Sequence, residues 1–186
     1  RFTIMNKSFS FILPAIGAAL LAVLSQLSFS IGPIRITLET SAVGLIATIF
    51  ERREALLAVF LYLLLGAIGL PVFAGGSGGF QALLGPSAGY LWAYLLFALV
   101  TSSLTGKDSK FYTVFLANLL GDTLVFVGGI IGLHFLAQMN FAQAISVGVT
   151  PFILPDLLKI LAITLISIPI FKSLAFHPYF SNNKNR

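Results

Sequence analysis

Cysteine does not occur in this 186-residue chain, which excludes a disulfide framework, a thiolate nucleophile and a cysteine-held metal. Histidine occurs only as His134 and His177, far apart in the sequence, and no metal site is expected. Charge is equally scarce. Lys and Arg number 11 and Asp and Glu six, together 9% of the residues, where a soluble domain carries about a quarter. So little polarity cannot clothe a soluble core of this size. The net charge of +5 does not indicate nucleic acid either, because basic recognition gathers Lys and Arg on one face, and here they lie scattered between apolar runs.

Apolar residues make up 58% of the chain and mean hydropathy is +0.99. A bilayer core requires about 20 apolar residues per helix, and the runs give an all-α membrane protein of six helices in a single domain, 1–186. The expected spans are Phe9–Phe29, a shorter one at Ile36–Phe50, Glu54–Phe73, Ser87–Leu104, Phe111–Ala137 and Phe152–Leu174. Open strands are not expected, since backbone polar groups within lipid must be satisfied internally and the alternation of barrel strands is absent. The first run is longer than a signal-peptide core and lacks a small-x-small cleavage site, so it reads as a retained span. Arg1 to Ile4, ahead of Met5, read as an expression remnant, and the asparagine-rich tail after His177 as frayed.

Orientation follows from the basic residues. Arg1, Lys7, Arg52, Arg53, Lys107, Lys110, Lys172, Lys184 and Arg186 fall on one side of the six-span scheme; Arg35 falls on the other, and Lys159 within the last span. The positive-inside rule places both termini in the cytoplasm. The outer connections are then Ser30–Arg35, Gly75–Pro86 and Gln138–Pro151, and the two longer ones carry no charge. A glycine-rich, uncharged mouth suits a small ligand.

Ionisable residues inside a membrane are costly and are functional candidates by default. Glu39 stands at the outer end of the second helix near Arg35 and Thr37, and Asp122 lies on the fifth with Asn118 one turn before it. Asp156 and Lys159 share a face of the sixth helix at i and i+3, within about 10 Å of its outer end at 1.5 Å per residue. Such a pair either neutralises itself and pins the helix or faces a cavity, where the ammonium offers donors and the carboxylate acceptors to a polar ligand. A helix–helix hydrogen bond accounts equally well for Asn118 and Asp122, and headgroup contact for Arg35 and Glu39.

The stretch Gly69–Tyr90 reads GLPVFAGGSGGFQALLGPSAGY. Glycines 75, 76, 78 and 79 permit backbone conformations closed to other residues and close approach to a bound molecule. No Lys-Ser or Lys-Thr follows at Walker spacing, which excludes a P-loop ATPase in this chain. On the first helix, Ala15/Ala19 and Ala18/Ala22 make two overlapping small-x-x-x-small spacings, a face that another helix can approach closely.

GLPVFAGGSGGFQALLGPSAGY resembles the signature of BioY, the biotin-binding S component of energy-coupling factor (ECF) transporters. Ile36-Thr37-Leu38-Glu39-Thr40 is similar to that family's I-T-L-Q-T, and Pro151 to Lys159, PFILPDLLK, to its P-F-x-P-G-D-x-x-K. The resemblance spans nearly the whole chain. It implies a six-helix S component in the prokaryotic cytoplasmic membrane that captures biotin from outside. It also implies a coupling membrane subunit and two ATPase subunits as partners, the latter using the ATP. The chain itself is expected to be no enzyme and to carry no cofactor. Asp156 and Lys159 match the D-x-x-K positions expected to touch biotin, Asp156 at a ureido N–H and Lys159 at a ligand oxygen. Gly75, Gly76, Ser77, Gly78, Gly79 and Gln81 are expected as lid or wall, with Tyr90, Trp92 or Phe73 in apolar contact. Thr37, Glu39, Asn118 and Asp122 complete the candidate binding set. The first helix is expected to dock the coupling subunit through Ala15/Ala19 or Ala18/Ala22. Two departures stand out: Glu39 where glutamine is common, with Arg35 as a candidate ion-pair partner, and Pro155 where glycine is usual.

Two rival readings share these residues. A rhomboid-like intramembrane serine protease would use Ser77 as nucleophile and His134 as base; against it, Ser77 lies in a loop and the sixth helix has no histidine. A solitary vitamin transporter would use the same pocket without ATPases.

Overall fold

A computed structural model describes the backbone of residues 2–31 and 34–174 and the side chains of 10–28 and 36–174. The expectations for Arg1, for the side chains of Lys7 and Arg35, and for the tail after His177 lie outside the described residues. Over the described chain, seven α-helices and one two-stranded hairpin follow in order: α1 (Phe2–Gln26), β1 (Ser28–Ile31), β2 (Ile34–Thr37), α2 (Glu39–Ile49), α3 (Arg52–Ala67), α4 (Ala88–Leu104), α5 (Phe111–Leu136), α6 (Phe141–Gly148) and α7 (Ile153–Leu174). Short 3-10 turns at Ala74–Gly76 and Phe80–Leu83 punctuate the link between α3 and α4.

The helices α4, α5 and α7 match their expected spans to within a residue. Three expectations are corrected. First, the spans anticipated to end at Phe29 and begin at Ile36 stop short, because Ser28–Ile31 and Ile34–Thr37 pair as antiparallel strands with Ser28 opposite Thr37 and Phe29 opposite Ile36. Ser-Phe-Ser-Ile and Ile-Arg-Ile-Thr alternate polar and apolar residues, the period-two pattern of a strand. Second, α3 ends at Ala67 rather than near Phe73. Gly69 takes φ +104°, and its N–H donates to Gly66 O while that of Leu70 donates to Leu65 O, the pair of bonds that closes a helix in a Schellman motif. Third, the connection Gln138–Pro151 contains α6, whose Asn140 side chain accepts from the Gln143 N–H while the Gln143 side chain accepts from the Asn140 N–H. That reciprocal box nucleates an eight-residue helix.

Among the described residues, α5 and α7 are long and apolar enough to cross a membrane, each with mean hydropathy 2.0 over its most apolar window. At 26 and 22 residues and 1.5 Å per residue they measure about 39 and 33 Å, enough to cross a bilayer core. Polarity is arranged inside out. Phe11, Ile16, Leu120, Ile131, Leu154 and Leu165 are among many large apolar side chains that are half exposed or more, while Ser25, Glu39, Thr101, Asn118, Asp156 and Ser167 are buried. Water penalises such a surface and lipid does not.

α2 is buried on most of its circumference and touches α1, α3, α4, α5 and α7. α4 and α5 pack backbone to backbone: a Cβ added at Gly89 would sit 2.1 Å from the Gly128 carbonyl oxygen, and one at Gly121 2.1 Å from the Phe97 ring. A single apolar core joins α1 to α4, with Leu21, Ile46, Val59, Tyr62, Phe73 and Phe97 at its centre. Phe73, Leu91 and Tyr94 of this core also line the site.

Candidate functional site

Beside the hairpin and the glycine-rich loop lies a cavity of about 200 Å³. Its polar side is made by Thr37 at the end of β2, Glu39 and Thr40 at the start of α2, and Asp156 and Lys159 in the first two turns of α7. Tyr90, Tyr94, Phe126 and Phe152 supply aromatic surface, and Phe73, Ala74 and Ser77 bring the loop to the wall.

Asp156 and Lys159 meet within one turn. Lys159 Nζ lies 2.6 Å from Asp156 Oδ1 and donates to Thr40 Oγ1 at 3.1 Å. Asp156 is buried at 4% exposure, and only 12% of the Lys159 side chain is exposed. Phe152, Asp156 and Lys159 follow at i, i+4 and i+7, one stripe of α7, so an aromatic ring and an ion pair reach the cavity together.

Among the described residues, Glu39 is held by hydroxyl donors. Thr37 Oγ1 and Tyr94 OH each donate to Oε2 at 3.1 Å, and Tyr62 OH donates to Oε1. The Glu39 N–H in turn donates to Thr37 Oγ1 at 3.2 Å. Three donors satisfy a carboxylate that is 4% exposed. Lys159 lies within electrostatic range of Glu39, Asp122 and Asp156. One ammonium thus serves three acidic side chains.

Of the residues singled out from sequence, Thr37, Glu39, Phe73, Ser77, Tyr90, Asp156 and Lys159 line the cavity. The others stand elsewhere. Gly75, Gly76, Gly78 and Gly79 shape the loop without facing the cavity: Gly75, Gly76 and Gly79 take positive φ, and a Cβ at Gly78 would strike the Leu70 carbonyl at 2.2 Å. Gln81 is exposed. Trp92 is 47% exposed and donates to Leu83 O, so it packs outside the site. Asn118 donates to Thr48 Oγ1 on α2 at 2.9 Å and does not line the cavity. Asp122 is buried behind the wall. Ser77 donates to Ala74 O and His134 bonds to Met139 O, and neither bond joins the two as a nucleophile and its base.

Thr40, Tyr94, Phe126 and Phe152 were not anticipated. Each has a helical relation to an anticipated residue: Thr40 follows Glu39, Tyr94 is i+4 from Tyr90, Phe126 is i+4 from Asp122, and Phe152 is i−4 from Asp156. Reading one turn outward from each polar candidate would have found them.

The BioY family pattern matches residues 4–176. The chain belongs to the BioY family. Similar proteins include biotin transporter BioY2 of Lactococcus lactis subsp. cremoris, 39% identical over 95% of this chain and 98% of that protein. Biotin transporter BioY of Thermotoga maritima is 37% identical over 83% and 90%. The fold is similar to the crystal structure of the S-component for biotin from an ECF-type ABC transporter. The TM-score is 0.84 at 26% identity, over 94% of this chain and 96% of that one. The chain is therefore a membrane protein of a transporter family.

Proposed function

We propose that the chain is the biotin-capture subunit of an ATP-driven ECF uptake transporter. The observation that carries this reading is the Asp156–Lys159 pair in the wall of a cavity that also presents the aromatic rings of Phe73, Tyr90, Tyr94, Phe126 and Phe152. Biotin combines a ureido ring with two N–H donors and a carbonyl acceptor, an apolar thioether ring, and a tail ending in a carboxylate. Asp156 accepts a ureido N–H, and Lys159 donates to a ligand oxygen. Phe73, Tyr90, Phe126 and Phe152 cover the apolar ring. Glu39, with its three hydroxyl donors, lines the polar side of the site, and Ser77 lies at its loop wall. Binding here involves no bond making, and the protein is a carrier rather than an enzyme.

The chain forms one membrane domain of six spans, α1 to α5 and α7, with α6 lying in the outer connection. Both termini face the cytoplasm, as the distribution of Lys and Arg favours. A coupling membrane subunit and two ATPase subunits supply the energy; the family resemblance and the likeness to an S-component of an ECF-type ABC transporter support this. The docking register on α1 is Ala15/Ala19: both are exposed, whereas Ala18 is 1% exposed and Ala22 packs on the core. Phe11, Ile12, Ile16 and Val23 flank that exposed stripe.

Calorimetric titration of the purified chain in detergent tests the reading. Saturable one-to-one heat with biotin is expected, and a folded protein that gives none contradicts it.

A further inference from the structure

The end of α1 is tied to the loop wall of the cavity by hydrogen bonds that ligand chemistry does not require. Ser25 is fully buried, and its Oγ lies 2.5 Å from the Val72 carbonyl and 2.8 Å from that of Ala22. Its single proton is therefore shared between the loop and its own helix. The Gln26 amide nitrogen lies 2.9 Å from Ser25 Oγ, 3.2 Å from the Ala22 carbonyl of its own helix, and 3.3 Å from each of the Pro71 and Phe73 carbonyls, so its two protons are divided between helix and loop. Three successive loop carbonyls thus rest on two adjacent side chains of α1.

The same loop carries the cavity wall. Phe73 lines the cavity and is 2% exposed; its ring meets Tyr62 edge-on at 5.3 Å. The Phe73 N–H donates to Ser77 O, and the Gly76 N–H to Phe73 O, each at 3.0 Å. On α1, Gln26 continues the exposed stripe roughly two turns beyond Ala19 and three beyond Ala15, whereas Ser25 continues the buried face of Ala18 and Leu21. The latch therefore sits where the exposed face of α1 meets the loop.

We propose that Ser25 and Gln26 are positioning residues that latch the loop wall to α1 and so hold Phe73 at the cavity. Without the latch the loop is free to turn about Gly69 and Gly79, both at positive φ. The identity of the cargo rests on the biotin-capture reading; the latch geometry does not.

The test compares wild type with Ser25→Ala and Gln26→Leu, and with Gln26→Lys, which restores an N–H donor. Hydrogen exchange over residues 72–79 is followed in ligand-free protein, and biotin release by chase with unlabelled ligand. Faster exchange confined to the loop is expected in the first two variants, with release about three- to tenfold faster, the size of one lost neutral hydrogen bond. Gln26→Lys returns both toward wild type. Unchanged exchange in the loop overturns the latch, and so does faster exchange with unaltered release. Should wild type not bind biotin at all, the capture reading fails, while exchange in the ligand-free protein still decides whether the latch exists.

Discussion

Lys159 stands among three carboxyl groups, so removing it differs in kind from removing any one of them. Lys159→Ala leaves Asp156 without its ion-pair partner and removes a positive charge from the neighbourhood of Glu39 and Asp122, and breaking a buried ion pair in this way costs about 3–5 kcal/mol. Asp156→Asn keeps the shape and leaves Lys159 its other acidic neighbours; a loss of about 1–2 kcal/mol is expected. Thermal unfolding in detergent should rank the two in that order. Both variants should weaken biotin binding by about 2 kcal/mol or more, as expected when one partner of a buried, hydrogen-bonded charge pair is truncated. Asp156 and Lys159 were legible in the sequence because charge in an apolar run is conspicuous. Tyr62 and Tyr94 were not, because a tyrosine in a helix gives no sign that its hydroxyl closes on a carboxylate from another helix. Asn118 reads ambiguously for the same reason: only the fold reveals Thr48 beside it.

At the scale of elements, glycine decides where helices approach and where they stop. A Cβ at Gly66 would lie 2.0 Å from the Phe73 ring, so Gly66→Ala must push that ring off the cavity wall. A stability loss of about 1–3 kcal/mol from overpacking is expected, with weaker biotin binding in the same titration. Gly89→Ala meets the Gly128 backbone oxygen, which cannot turn aside as a side chain can. It should lower the unfolding temperature by separating α4 from α5. The long helices α4, α5 and α7 were legible because an apolar run bounded by charge or glycine has few other readings. The ends of α1, α2 and α3 were not. There an apolar run continues past the helix, and hydropathy alone does not distinguish the strand Ile34–Thr37 or the turn at Gly69 from another helical turn. The short helix α6 was hidden likewise, although Asn140 and Gln143 carry its start signal.

For the whole molecule, the proposed docking stripe and the cavity use different residues, since the described residues lining the cavity include none from α1. Ala19→Trp places bulk on the exposed stripe of α1, and it should abolish copurification with the proposed coupling subunit while the isolated chain still binds biotin. Ala18→Trp places the same bulk in the core and should reduce folded yield instead. Two overlapping alanine spacings were visible in the sequence, but which one faces outward depends on how α1 rests against α3. Recovery of stoichiometric ATPase subunits from native membranes supports the modular transporter, and reproducible purification of the chain alone favours the solitary carrier. A crystal structure determined with biotin present shows whether biotin occupies the cavity beside Asp156 and Lys159. The ureido ring is expected within hydrogen-bond distance of Asp156 and the bicyclic ring against Phe73, Phe126 and Phe152. Biotin bound elsewhere, with this cavity collapsed or filled only by solvent, would contradict that expectation.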